Sequence, residues 1–427
     1  MIRSLLLGCA ATFAGMIGYA ATDAASAQTA PSASPGTVTV RLNGRVNWYA
    51  GIEASSLDDD TATGTKTSTD NFLGYLRLYP GFDGVAANGM HYGAAAEIRI
   101  NGGQSANDET LFVHQAYGYF GLPQYGQLSF GQENGPSVIF QTGTFEGFND
   151  GGWDGDIEDM IPEAANAIYP FADGNSNYNE STSKIVYLSP VLAGFQFGIG
   201  FTPNQTASNF TDAVTSTPTP ITGGQPRNII DIGGQYTKTF GPVGVQVGVD
   251  YTNSGRVNFT GGGTTQPANY HDLSIFQGGA TVTVGGFTVG GNSVYGAYNV
   301  ADSYLISLEP DGGTNALGWL LGAQYAMGPV VVGASFFRFN QTGDIPGGID
   351  AGSGATITPA GLTTGQQQND GVAAGATYTL VPGVSLFVDY LYGMREQGGY
   401  NFETGNAGTA NNYVQSQLFG VGTQIQW

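Results

Sequence analysis

The chain has 427 residues and a formal net charge of −21, with 33 acidic residues against 12 lysines and arginines. This acidity argues against a nucleic-acid partner, because phosphate binding needs clustered basic side chains. A single cysteine cannot build a disulfide framework. Charged residues make up only 11% of the chain and 69 residues are glycine, whereas a soluble protein has about 25% charged residues.

Residues 1–27 have the pattern of a secretory signal peptide: Arg3, an apolar run over 5–20 and an A-x-A site at 25–27. The segment around Cys9 loosely matches a lipoprotein cleavage box, but that alternative leaves too short an apolar core. Cleavage after residue 27 would remove Cys9, so we expect an exported mature chain without thiol chemistry.

Period-two alternation dominates the rest of the chain and predicts β-strands. In the first predicted strand, residues 37–50, one face carries Val38, Val40, Leu42, Val46 and Trp48, and the other carries Arg41, Asn43, Arg45, Asn47 and Tyr49. The terminal segment 413–427 alternates in the same way. No stretch after the signal approaches the ~20 apolar residues of a membrane helix.

Short Gly/Pro connections separate pairs of predicted strands. They lie at 82–86, 121–126, 189–194, 240–244, 284–286, 327–330 and 380–384. Longer polar connections lie at 57–69, 204–226, 257–269, 341–368 and 397–411. Short turns joining strand pairs, with one further strand at each end, predict a sixteen-stranded antiparallel transmembrane β-barrel. We therefore expect a short flexible leader, 28–36, and a single all-β barrel domain, 37–427, in contact with membrane lipid.

Two segments and the terminus resemble the general bacterial porin family, in particular its alphaproteobacterial type. They are KIVYLSPVLAGFQFGIGF (184–201), GQLSFGQENGP (126–136) and the terminal aromatic Trp427. Most members end in phenylalanine, and the PEFGG pattern of some relatives is missing here. The resemblance implies a homotrimer in the outer membrane, and a constriction loop, residues 134–180, folded into the lumen.

The predicted constriction loop is strongly acidic. No lysine or arginine occurs between Arg99 and Lys184. The candidate constriction residues are Glu146, Asp150, Asp154, Asp156, Glu158 and Asp159. A candidate basic wall faces them, because period two places Arg41, Arg45, Arg77 and Arg99 away from lipid, where an arginine at the midplane would cost about 2–4 kcal/mol.

Opposed acidic and basic side chains across a water-filled constriction create a transverse field that filters solutes. The alternative is that the arginines only neutralise carboxylates within the wall. We expect Trp153 to fix the acidic loop to the wall.

The stretch NDGGWDGDIED, residues 149–159, also raises the question of calcium. Asp154, Asp156 and Glu158 alternate as oxygen ligands could, but the positions do not match an EF-hand loop. A calcium site of another type remains open at these three residues. No other cofactor is expected.

The sequence does not favour an enzyme. The three histidines, His91, His114 and His271, show no metal-binding spacing and no G-x-S-x-G motif stands out. The leading hypothesis is passive diffusion of small hydrophilic solutes and ions with mild cation preference. The alternatives are a substrate-selective channel with a saturable sugar or organic-cation site, and a surface adhesin or structural barrel.

Overall fold

The computed structural model describes residues 35–57, 69–101, 110–145, 148, 152–171, 182–204, 226–255, 270–300, 306–309, 312–344, 346 and 365–427. The predicted signal peptide and most of the leader lie outside these residues. No helix in the described part of the chain is long and apolar enough to cross a membrane.

The fold is a closed antiparallel barrel of sixteen strands, as predicted. The first eight barrel strands in chain order are β1 Val38–Ser55, β2 Asp70–Val85, β3 His91–Asn101, β4 Thr110–Leu122, β5 Gly126–Gln132, β6 Ser183–Leu188, β7 Phe195–Asn204 and β8 Arg227–Phe240. The others are β9 Val243–Gly255, β10 Leu273–Val284, β11 Phe287–Ala297, β14 Ala316–Met327, β15 Val330–Thr342, β16 Gln366–Val381, β17 Val384–Gln397 and β20 Tyr413–Gln426. Each pairs with its neighbour around the wall, and β1 closes on β20.

Two small hairpins lie outside the barrel sheet. One, β12 Asn299–Val300 with β13 Ile306–Ser307, belongs to a long connection after β11 that we did not predict. The other pairs β18 Tyr400–Asn401 with β19 Asn406–Ala407, inside a predicted polar loop.

Side-chain alternation gives the barrel two different faces. On β1, Val40 is 79% exposed and Trp48 47% exposed on the outside, whereas Asn47 and Tyr49 are buried on the inside. Large apolar residues are exposed on the outer side of many other strands, including Phe195, Leu321 and Phe419. This distribution is suited to hydrocarbon outside and polar groups within.

The glycines of the short turns explain their tight geometry. Gly241, Gly285 and Gly328 have φ values of +60°, +60° and +58°, and each opens a two-residue hairpin where only glycine adopts that conformation freely. One predicted turn position was wrong. The first short turn follows Val85 rather than starting at Phe82, because Phe82 and Asp83 still pair with β3.

Candidate functional site

The described residues between 136 and 171, here called the interior segment, follow β5 and pack against the inner face of the wall. The segment begins with a helical turn, Pro136–Ile139, that contacts β7, β8 and β9. Ser137 donates its backbone N–H and its hydroxyl to Asp231 Oδ2 at 3.0 and 2.8 Å. Three 3-10 turns follow: Gly152–Asp154, Asp156–Met160 and Glu163–Ala165. The second turn contacts β1, β2 and β20, so the segment crosses much of the wall.

Glycines on the inner face make room for the large side chains of this segment. Alanine or any larger residue at these positions would carry a Cβ, and that Cβ would overlap the opposing side chain. The pairs are Gly322–Phe145, Gly333–Phe148, Gly393–Trp153, Gly420–Ile157 and Gly51–Met160. They lie on β14, β15, β17, β20 and β1, so the segment advances along the wall from strand to strand.

Trp153 contacts the wall as expected. Its side chain is 3% exposed. Its indole N–H donates to the carbonyl oxygen of Val372 at 3.0 Å, and its ring meets Phe337 edge-on at 5.9 Å. The interior segment is thus held by a hydrogen bond and by aromatic packing at this point.

The segment returns along the same strands, nearer to their long-loop ends. Arg395, which is fully buried, donates from Nη1 to the carbonyl oxygens of Glu163 and Ala164 at 3.1 and 3.5 Å. Its Nη2 lies 3.6 Å from Asp344 Oδ2, and its guanidinium lies 4.6 Å from the Phe402 ring centroid. The sequence analysis did not identify Arg395, because the residue pattern of β17 does not show that this side chain binds carbonyl oxygens of the interior segment.

One candidate acid meets one candidate arginine. Arg77 Nη2 donates to Asp156 Oδ1 at 2.7 Å, joining the interior segment to β2. The Arg77 guanidinium also lies 4.4 Å from the Tyr75 ring centroid, and that of Arg45 lies 5.3 Å from it. Arg77 is therefore held by a cation–π contact with the wall and by its ion pair with the interior segment.

Two other candidate arginines have carboxylate partners on the wall itself. Arg41 Nε lies 2.5 Å from Asp83 on the neighbouring strand. Arg99 donates from Nε to Glu97 Oε1 at 2.6 Å, and Glu97 Oε2 lies 3.2 Å from His114 Nδ1. Neutralisation within the wall, the alternative raised from the sequence, thus accounts for these pairs.

The acidic turn carries two carboxyls with altered protonation. Burial raises the pKa of Glu158 well above its usual range, and the charges of Asp159 and Asp156 raise it further. Asp159 keeps an exposed side chain, yet the enclosing protein raises its pKa to about 6, with Asp156 raising it further and Arg77 opposing the shift. Crowded carboxylates in a partly dehydrated site behave in this way.

The remaining candidates are separate from this contact or outside the described residues. Asp154 is half-buried. Glu146 and Asp150 lie outside the described part. Among described residues, no three His, Cys, Asp or Glu side chains converge as a metal site would require. Asp154, Asp156 and Glu158 are therefore not brought together as calcium ligands, and Asp156 is engaged by Arg77.

The family follows from comparison with known proteins. The sequence model described as Gram-negative porin matches residues 10–422. The chain belongs to the Gram-negative porin family. It is therefore an outer-membrane channel protein rather than an enzyme. No curated protein sequence matches it.

Solved structures share the porin fold at low sequence identity. An anion-selective porin from Comamonas acidovorans is 15% identical, with 92% of this chain and 100% of that chain covered and a TM-score of 0.54. The trimer form of OmpT, an outer membrane protein of Vibrio cholerae, is 13% identical, with coverage of 92% and 99% and a TM-score of 0.53. The outer membrane channel DcaP of Acinetobacter baumannii gives the same identity, coverages and TM-score. At these identities the likeness concerns the fold alone.

Proposed function

We propose that this porin is a passive diffusion channel for small hydrophilic solutes and ions, with a mild preference for cations. The observation that carries the proposal is the Arg77–Asp156 ion pair. This pair joins Asp156 of the acidic run to Arg77 of β2, which supports the proposal that the run faces the basic wall of β1–β3 inside the barrel. A segment on the inner face takes up cross-section and narrows the passage, and its charges then act on solutes at close range.

The expected cation preference comes from the balance of charge. Arg41, Arg77 and Arg99 each have a carboxylate partner, so their positive charge is largely offset. Acids exceed bases over the whole chain, which has a net charge of −21, and Asp159 keeps an exposed side chain. Selectivity depends on such side chains, so the anion selectivity named for the Comamonas porin does not carry over with the fold.

The proposal includes the surroundings of the barrel. Residues 1–27 are cleaved on export, the exposed outer apolar side chains contact outer-membrane lipid, and three copies assemble. Support for the trimer comes from the fold shared with the trimer form of Vibrio cholerae OmpT. Calcium at Asp154, Asp156 and Glu158 is not part of the proposal.

Conductance in planar bilayers tests the proposal. We expect current that grows in proportion to KCl concentration and is not blocked by sugars, with closure in three equal steps for a trimer. Saturable block by one sugar or organic cation would instead support a substrate-selective channel. A correctly folded barrel without conductance would support an adhesin or structural role.

A further inference from the structure

Only two described residues of the interior segment are exposed, and both are acidic. They are Asp159 in the second 3-10 turn and Glu163 in the third. Every other described residue of the segment is buried or half-buried. Since the segment packs against the inner face of the wall, an exposed side chain on it faces the open part of the interior. Glu163 is therefore placed to act on passing solutes, although the sequence analysis did not include it among the candidate constriction residues.

The charge of Glu163 is not offset as the charge of Asp156 is. Asp156 accepts a hydrogen bond from Arg77 at 2.7 Å. Within the part of the chain that the structure describes, no lysine or arginine forms an ion pair with the Glu163 carboxylate. The nearby Arg395 binds backbone carbonyl oxygens, and its Nη2 faces Asp344 at 3.6 Å. An exposed carboxylate without a basic partner attracts cations over about 8 Å at physiological salt.

A buried guanidinium holds the backbone around Glu163. Arg395 is 0% exposed and donates from Nη1 to the carbonyl oxygens of Glu163 and Ala164 at 3.1 and 3.5 Å. Hydrogen bonds from a charged donor are stronger than those between neutral groups. The third 3-10 turn also contacts β20. The start of the return run, here defined as residues 161–171, is therefore fixed to β17 and β20.

Buried amide side chains on β16 extend this attachment along the return run. The Ile168 N–H donates to Asn369 Oδ1 at 3.2 Å, and Asn369 Nδ2 donates to Gln367 Oε1 at 3.1 Å. Gln367 Nε2 donates in turn to Asp344 Oδ2 at 2.7 Å, the carboxylate that faces Arg395. Asn369 and Gln367 are both 0% exposed. Buried hydrogen-bond networks rigidify the elements that they join, so the return run keeps Glu163 at a fixed place.

Glu163 lies on the long-loop side of the Arg77–Asp156 pair. Its anchor, Arg395, is close to Gln397, the last residue of β17, whereas Arg77 is in the middle of β2. The two charged places therefore follow one another along the barrel axis. A solute that enters from the long-loop side meets the Glu163 carboxylate before it meets the ion pair.

We propose that Glu163 is a second selectivity-determining residue, which concentrates cations on the long-loop side of the passage. This role rests on the proposed diffusion channel, because it concerns a side chain in its passage. A charge at one side of a constriction raises the local cation concentration on that side alone. Currents in the two directions then differ, and the difference grows at low salt because screening weakens.

Glu163→Gln tests this role, because it removes the charge and keeps the shape of the side chain. The permeability ratio of potassium over chloride should fall by about two- to fivefold, as expected for one unit charge a few ångströms from an ion in water. The current–voltage curve of a single channel in low symmetric salt should also become less asymmetric. Zero-current potentials and single-channel currents in planar bilayers measure the two effects.

Glu396→Gln is the matched control. Glu396 adjoins Arg395 on β17 but is exposed on the outer face of the wall. The same loss of one carboxylate there should leave both the permeability ratio and the asymmetry unchanged. Equal shifts in the two variants would overturn the proposal, because net charge rather than a charge in the passage would then set selectivity.

Restoring a charge at the same position separates a charge effect from a change of structure. Cys9 is the single cysteine of the chain, so Glu163→Cys in a Cys9→Ser background carries one thiol. A thiosulfonate reagent that attaches a sulfonate should restore the potassium preference, and one that attaches an ammonium should lower it further. Equal effects of the two reagents would overturn the proposal.

The outcomes for Glu163 and for the proposed function are distinguishable. A potassium-preferring channel whose permeability ratio is unchanged by Glu163→Gln would overturn the role of Glu163 alone. A chloride-preferring channel whose ratio still falls in Glu163→Gln would support this role and contradict the proposed cation preference. Absence of conductance in the unmodified protein would overturn both.

Discussion

At the scale of single residues, Arg77 is the side chain that joins the two charged parts of the interior. It is 4% exposed, pairs with Asp156 of the interior segment and lies over the Tyr75 ring. A wall charge held by two contacts keeps a fixed position relative to passing ions. Changes at Arg77 should therefore alter selectivity more than stability.

Arg77→Gln should raise the permeability ratio of potassium over chloride. One unit charge a few ångströms from an ion changes its energy by about 1 kcal/mol in water, which corresponds to about a two- to fivefold change in the ratio. Asp156→Asn should change the ratio in the opposite direction. Zero-current potentials in a KCl gradient measure both effects.

Arg338→Gln is the control for this prediction. Arg338 makes two hydrogen bonds to Asp370, at 2.7 and 2.8 Å, and its side chain is 42% exposed on the outer face. Loss of this arginine should leave selectivity unchanged. An equal shift in both arginine variants would mean that net charge, rather than the constriction, sets selectivity.

The Asp159 carboxyl predicts a pH dependence of selectivity. Its pKa is raised to about 6, so it is ionised at pH 7.5 and mostly protonated at pH 5. Acidification should lower the preference for potassium, with half of the change near pH 6. Zero-current potentials between pH 7.5 and pH 5 measure this profile. Asp159→Asn should remove the step, and persistence of the step in that variant would contradict the assignment.

At the scale of elements, glycines on the inner face of the wall leave space for large side chains of the interior segment. Phe148 and Trp153 occupy space that a Cβ on Gly333 or Gly393 would take. Some of the many glycines therefore form tight turns, and others make room on the inner face for the interior segment. The seating of the segment depends on the wall as much as on the segment itself.

Gly333→Ala should displace the interior segment. The new Cβ would come within 2.5 Å of the Phe148 ring, and overpacking of this kind costs about 1–3 kcal/mol. We expect a lower unfolding temperature together with larger or noisier single-channel conductance. Gly278→Ala is the control, since its Cβ would meet Val249 at an ordinary 3.5 Å. Unchanged conductance in Gly333→Ala would show that the segment does not set the width.

Arg395→Gln should loosen the return run of the segment. The arginine hydrogen-bonds the carbonyl oxygen of Glu163, and hydrogen bonds to charged groups contribute about 1.5–3 kcal/mol. We expect flickering of the open channel and reduced thermal stability, both larger than in Arg338→Gln, because exposed ion pairs contribute ~0–1 kcal/mol. Single-channel records and thermal unfolding of the two variants check this. Equal behaviour of the two variants would show that Arg395 does not position the segment.

The sequence predicted the barrel more fully than the site. Alternation and Gly/Pro turns determine strand number because side-chain period and hairpin geometry are local properties. Arg41 on β1 pairs with Asp83 on β2. This partner could not be predicted, because the sequence alone does not give the register between the two strands. The glycines that face Phe148 and Trp153, and the carbonyl oxygens bound by Arg395, become visible only when the path of the interior segment is known. The acidic run was found because charge segregation is a property of sequence alone.

At the scale of the whole molecule, a closed barrel leaves no unpaired strand edge in the membrane. The interior segment runs along the inner wall from the β7–β9 side to β1 and β2 without adding a strand, which is the arrangement that the proposed constriction requires. Such an arrangement separates two tasks. In the proposed function, the outer face contacts the membrane and the interior charges select the solutes that pass.

The zero-current potential of the unmodified protein in a KCl gradient tests the central claim most directly. An acidic interior with partnered arginines predicts a potential whose sign shows potassium moving more readily than chloride. A potential of the opposite sign, showing clear chloride preference, would contradict the account.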